Sequence, residues 1–74
     1  MSKLPIISGL KAVKAFNKDG WLMVRQTGSH MLMTKPHTEA TLSIPRHKEL
    51  DRGTLRKLIK HAGLTVDDFN KLLG

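Results

Sequence analysis

Apolar and polar positions change their spacing along the chain, and each change marks an element. After Leu4-Pro5-Ile6-Ile7, Ser8 is placed to cap a helix, because its hydroxyl accepts from an amide of the first turn. Leu10, Val13 and Phe16 recur at helical spacing, Lys11, Lys14 and Lys18 fall on another face, and Gly20 suits a left-handed C-cap. This predicts a first helix over 9–19. Trp21-Leu22-Met23-Val24-Arg25-Gln26 shifts to a β-compatible run, closed by the turn-forming Thr27-Gly28-Ser29. His30 to Thr34 reads as a second strand, and Lys35-Pro36-His37-Thr38-Glu39 as the next turn. Ala40-Thr41-Leu42-Ser43-Ile44 then alternates apolar with hydroxyl residues, as a half-buried strand does, and Pro45 ends it. Connections this short require an antiparallel meander.

A second helix is signposted by Asp51 as its cap, with Leu50 and Leu55 at the two positions of a hydrophobic staple. Leu55, Leu58, Ile59 and Ala62 form its apolar stripe, while Arg52, Arg56, Lys57 and Lys60 occupy the remainder. Gly63 ends it, with Leu64 placed to fold back on Ile59 in a Schellman cap. Thr65 opens a short last helix with Asp67 and Asp68 at its positive end and Val66, Phe69 and Leu73 on one face. The order is α-β-β-β-α plus a short C-terminal helix. It predicts an α+β fold in which a three-stranded antiparallel sheet carries its helices on one face, in one continuous domain over 1–74. That is the plan of the double-stranded-RNA-binding domain, a plan that by itself assigns no function.

Composition narrows the chemistry. A chain of 74 residues with 39% hydrophobic positions has a small core, burying only about 60–65% of its unfolded surface. The absence of cysteine removes disulfides, thiolate nucleophiles and Cys-based zinc sites. Thirteen Lys/Arg against six Asp/Glu give a net charge of +7, which favours a polyanionic partner. The surplus sits over the strands and second helix, since residues 25–62 carry eight basic and three acidic side chains. The first eighteen residues hold four lysines and no acid, a faint transit-peptide pattern, but they lack Arg and include a helix that so small a domain needs. Apolar runs of four residues fall short of a signal-peptide core or a membrane span, so a cytoplasmic protein without membrane association is expected.

Gly28-Ser29-His30 is the most informative local feature. Glycine permits a tight turn and leaves the following residue projecting from the sheet rim, and histidine is the residue type suited to taking or giving a proton at physiological pH. In a basic protein such a side chain suits phosphodiester chemistry: it takes a proton from an RNA 2′-hydroxyl or gives one to a leaving oxygen, while Lys and Arg stabilise phosphorane charge. The plainer reading is an exposed turn histidine without a duty. His47 reads as a second acid/base or a phosphate contact, or, more simply, as a structural histidine hydrogen-bonded between loop and helix. His37 in a Pro-containing turn and His61 at a helix end read as bystanders. The four histidines lack the close spacing of a zinc site. Arg46 and Lys48 flank His47, and Arg25 lies shortly before the turn; these three are the expected phosphate contacts. The basic cluster of the second helix reads as a solvated face or as RNA contact. Met23, Met31 and Met33 read as packing. Only Trp21 is placed to stack a base, so recognition is expected to lean on phosphates and shape.

Gly28-Ser29-His30, Ile44-Pro45-Arg46-His47-Lys48-Glu49-Leu50 and Gly53-Thr54-Leu55-Arg56, in this order on this plan, resemble the HicA family of toxins. The opening fits as well, with Leu4-Pro5 leading through Ser8-Gly9 into a helix ended by Gly20 and an aromatic; the likeness runs from about Leu4 to Leu73. It implies a dsRBD-like ribonuclease that cleaves messenger RNA and halts translation, with His30 as its active histidine and no metal or organic cofactor. It also implies a HicB antitoxin that covers the active surface. Trp21 departs from the Phe or Tyr common in the family.

Three functions therefore compete: a ribonuclease toxin with His30 as general acid or base, a non-catalytic RNA-binding module on the same fold, and a basic adaptor for an acidic protein. Loss of RNA cleavage in His30→Ala separates the first from the second. Absence of cleavage together with saturation by a protein partner marks the third.

Overall fold

The computed structural model describes residues 3–74. Helix α1 (Gly9–Lys18) is followed by strands β1 (Leu22–Gln26), β2 (His30–Thr34) and β3 (Thr41–Pro45), then by helices α2 (Arg52–His61) and α3 (Val66–Leu73). The strands form one antiparallel sheet in the order β1-β2-β3. The α+β plan read from the sequence is the observed one, and boundaries differ by a residue or so, as at β3, which includes Pro45.

Each helix end has a local cause. The Ser8 hydroxyl accepts from the amide of Lys11 at 3.1 Å. At the other end Gly20 takes a φ of +99°, and the amides of Gly20 and Trp21 donate to the carbonyls of Asn17 and Phe16, a complete Schellman motif. The same pattern closes α2, where Gly63 (φ +76°) and Leu64 donate to Lys60 and Ile59. Thr65 and Asp68 form a reciprocal capping box at α3. Its hydrogen bonds, first from the Thr65 amide and then from the Thr65 side chain, hold the Asp68 carboxyl below its usual pKa. Asp51 does occupy the cap position of α2, but its side chain makes no capping bond; the helix entry is fixed instead by burial of Leu50 and Leu55.

The core lies between the helices and one face of the sheet. Met31 and Met33 of β2 and Leu42 and Ile44 of β3 point into it, against Phe16, Trp21, Leu55 and Phe69, all fully buried. The rings of Phe16 and Phe69 lie 4.9 Å apart and tilted, joining α1 to α3. Trp21 is therefore core, its indole N–H without a protein partner among the described residues, and it offers no platform for a base.

Two apolar expectations are corrected. Leu10 is 52% exposed, because α1 turns Gly9, Ala12, Val13, Ala15 and Phe16 inward instead. Gly9 sets that rotation: a Cβ there would collide with the Pro45 carbonyl oxygen, and its amide donates to the carbonyl of His47 at 3.0 Å. Met23 is 41% exposed, on a strand whose register slips at Val24 and whose five residues all face solvent in part.

Candidate functional site

The turn before β2 is held by one side chain. Thr27 Oγ1 accepts from the amides of His30 (3.0 Å) and Ser29 (3.3 Å), while the Thr27 amide donates to the His30 carbonyl at 2.9 Å. Gly28 has no neighbour within 4 Å of where a Cβ would stand, so the tip is open to solvent. Within this frame His30 is exposed, and its Nδ1 lies 2.9 Å from the Ser29 hydroxyl. Nε2 has no hydrogen-bond partner among the described residues. An imidazole so held presents one anchored and one available nitrogen, the arrangement a general acid or base needs.

Sheet register places the neighbours. Residues opposite one another share a face, and Met31, Met33, Leu42 and Ile44 claim the core side. The other face is open and carries three successive rows: His30 with Pro45; Arg25, Leu32 and Ser43; and Leu22, Thr34 and Thr41. Arg25 thus lies in the row next to His30, two strands across from Ser43. The Arg46 amide donates to the Ser29 carbonyl at 2.9 Å, which carries the β2–β3 ladder past Pro45 and brings Arg46 beside the histidine turn.

His47 and Lys48 follow in the connection to α2. That connection is stitched to the chain ahead of α1, with Gly9 donating to the His47 carbonyl and Leu50 donating to the Ile7 carbonyl at 2.8 Å. The link between loop and helix expected of a structural histidine is made by the backbone of His47. Its ring is exposed and makes no hydrogen bond among the described residues. Arg25 and Arg46 thus stand next to the His30 end of the sheet, His47 and Lys48 follow in the connection beyond it, and none of the four side chains makes a hydrogen bond or ion pair among the described residues. His37 lies in the turn at the opposite end of the β2–β3 hairpin, at a φ of +64°.

Among the described residues the cations around this face make no ion pair. Among the described residues the only ion pair is Lys35–Asp19 at 3.1 Å, which ties the β2–β3 turn to the end of α1. No group of three His, Asp or Glu side chains gathers into a metal-binding cluster among the described residues. No helix among them is long and apolar enough to cross a membrane. Thr41 and Ser43, read only as the polar half of a strand, line a groove with Thr54, Lys57, Leu58 and His61 of α2. Neither residue type nor spacing signals it, because it forms only when α2 lies along the β3 edge.

Comparison with known proteins gives a consistent picture. No curated protein matches the chain. Among solved structures, a toxin–antitoxin complex from Streptococcus pneumoniae contains a chain 34% identical in sequence, with a TM-score of 0.69 over 78% of this chain and 98% of that one. The family model of the HicA toxin of bacterial toxin–antitoxin systems matches residues 10–64, which include the histidine turn, all three strands and the whole of α2. The chain belongs to the HicA toxin family.

Proposed function

We propose that the protein is a metal-independent endoribonuclease toxin that cleaves messenger RNA and stops translation, with His30 as general acid/base. The observation that carries this reading is the exposed imidazole of His30, its Nδ1 2.9 Å from the Ser29 hydroxyl, at a sheet end where Arg25 stands in the next row and the Arg46 amide bonds the Ser29 carbonyl. In the cleavage step Nε2 takes the proton of a ribose 2′-hydroxyl. The 2′-oxygen attacks the adjacent phosphorus, the bond from phosphorus to the 5′-oxygen breaks, and that oxygen leaves with a proton. His47 is the candidate donor of that proton, being the other histidine at this end of the sheet. Arg25, Arg46 and Lys48 hold the phosphate and stabilise the charge that builds on its oxygens. Gly28 and Ser29 form the turn that presents the base.

An antitoxin is the expected protein partner, of the HicB kind, and the relative solved within a toxin–antitoxin complex supports it. The surface supports it as well. Leu22 and Val24 on the β1 edge are 53% and 59% exposed beside the same face, apolar area that suits a protein and contributes nothing to holding phosphates.

The test is cleavage of an RNA oligonucleotide in the presence of a chelator, against the same oligonucleotide with 2′-deoxyribose throughout. Cutting of the first and survival of the second is expected. Cutting of both would remove the 2′-hydroxyl from the reaction, and binding without cutting would make the protein an RNA-binding module.

A further inference from the structure

We infer that the groove between β3 and α2 is a nucleotide subsite, which seats the RNA residue adjoining the phosphodiester held at His30. The inference rests on the ribonuclease reading and assigns a second, separate part of the surface to it.

The groove measures about 280 Å³, near the lower end of small-ligand pockets, and suits a single nucleotide. Its walls carry three kinds of chemistry. Leu58 supplies an apolar floor, buried from bulk solvent. Thr41, Ser43 and Thr54 supply hydroxyls, none of which makes a side-chain hydrogen bond among the described residues. Lys57 and His61, one turn apart on α2, supply cationic or hydrogen-bonding ends that no carboxylate neutralises. A base rests on an apolar floor, a ribose offers its 2′-hydroxyl as donor and acceptor, and a phosphate pairs with a lysine.

Position joins the groove to the candidate catalytic residue. His30 faces Pro45 across the ladder, and Ser43 lies two residues back along β3 on the same open face. Ideal sheet spacing puts it about 7 Å along the strand and about 5 Å across from His30. Thr41 continues the line by one more row. A strand of RNA with its reacting phosphate at His30 therefore runs over Ser43 and Thr41 into the groove. Thr54 stands next to the buried Leu55 at the start of α2 and turns to the groove, where its hydroxyl completes the polar wall.

The experiment uses two readouts, with each variant's fold checked by circular dichroism. Binding of a short single-stranded RNA is measured by anisotropy in a His30→Ala background, which prevents cutting. Cleavage is measured with His30 present. Lys57→Ala is expected to weaken RNA binding about tenfold, and Thr41→Val with Ser43→Ala severalfold. In cleavage both raise KM and leave kcat close to the parent value. Lys71→Ala, the same loss of charge on α3 away from the groove, is expected to bind as the parent does. Unchanged binding by the groove variants overturns the subsite, as does an equal loss in Lys71→Ala. Where the parent cleaves RNA, such results leave the ribonuclease reading standing. A parent that binds without cleaving, weakened by Lys57→Ala, loses the catalytic reading and keeps the subsite. A parent that neither binds nor cleaves RNA loses both.

Discussion

The hydroxyl of Ser29 lies 2.9 Å from Nδ1 of His30, two adjacent residues whose side chains meet at the mouth of one turn. This contact orients the imidazole without burying it and leaves Nε2 for proton transfer. The account assigns Ser29 a positioning role. Ser29→Ala is therefore expected to lower kcat about tenfold or less and to leave KM unchanged. His30 substitution should cost about 10²-fold or more. Steady-state kinetics on one RNA oligonucleotide checks the ranking; a Ser29 defect as large as that of His30 would make the hydroxyl a direct participant.

Glycines in this chain are not interchangeable. Gly9→Ala would drive a methyl into the Pro45 carbonyl, where neither backbone is free to give way, so destabilisation of about 3 kcal/mol or more is expected. Gly53→Ala sits in α2 with open space around it and is expected to stabilise by about 0.5–1 kcal/mol. Urea denaturation of both variants decides, and similar effects in the two would contradict the close approach at Gly9.

Acid stability follows from the α3 cap. The Asp68 carboxyl is held below its ordinary 3.8 chiefly by the Thr65 amide. Its contribution is present above the unfolded pKa and is lost as pH falls through the lowered folded value. Thermal melts of wild type should show this loss below the ordinary carboxylate range. Asp68→Asn should start from a lower melting midpoint and lack that part of the acid dependence. Parallel pH profiles for the two proteins would count against the capping box.

Much of this architecture was legible because local rules and the tertiary fold agree. Ser8, Gly20, Gly63 and Thr65 each announce a helix end that the backbone then makes. The alternation from Thr41 to Ile44 gives both the strand and its buried side. What stayed hidden depends on contacts between elements. Leu10 reads as core until the Gly9–Pro45 approach rotates α1, and Met23 does until the slip at Val24 leaves β1 outside. In the site, the histidine turn was visible as three consecutive residues. The nearness of Arg46 comes from a backbone ladder, and the Thr41–Lys57 groove from the packing of one helix beside one edge; neither has a local signature.

The exposed β1 edge carries a separate expectation. Val24→Lys leaves the His30 end of the sheet untouched and places a charge in the apolar edge. It should keep RNA cleavage near the wild-type rate and weaken inhibition by the antitoxin about tenfold or more. Titration of cleavage with the purified antitoxin measures this, and full inhibition at the wild-type ratio would place the antitoxin elsewhere.

The central claim is that His30 transfers the proton in RNA cleavage. Its most direct measurement is RNA cleavage by wild type and His30→Ala side by side, with chelator present and both folds verified by circular dichroism. The account predicts that wild type cuts and the folded variant does not. Equal cutting by both would contradict it and move the reaction to another residue, with His47 the first to examine.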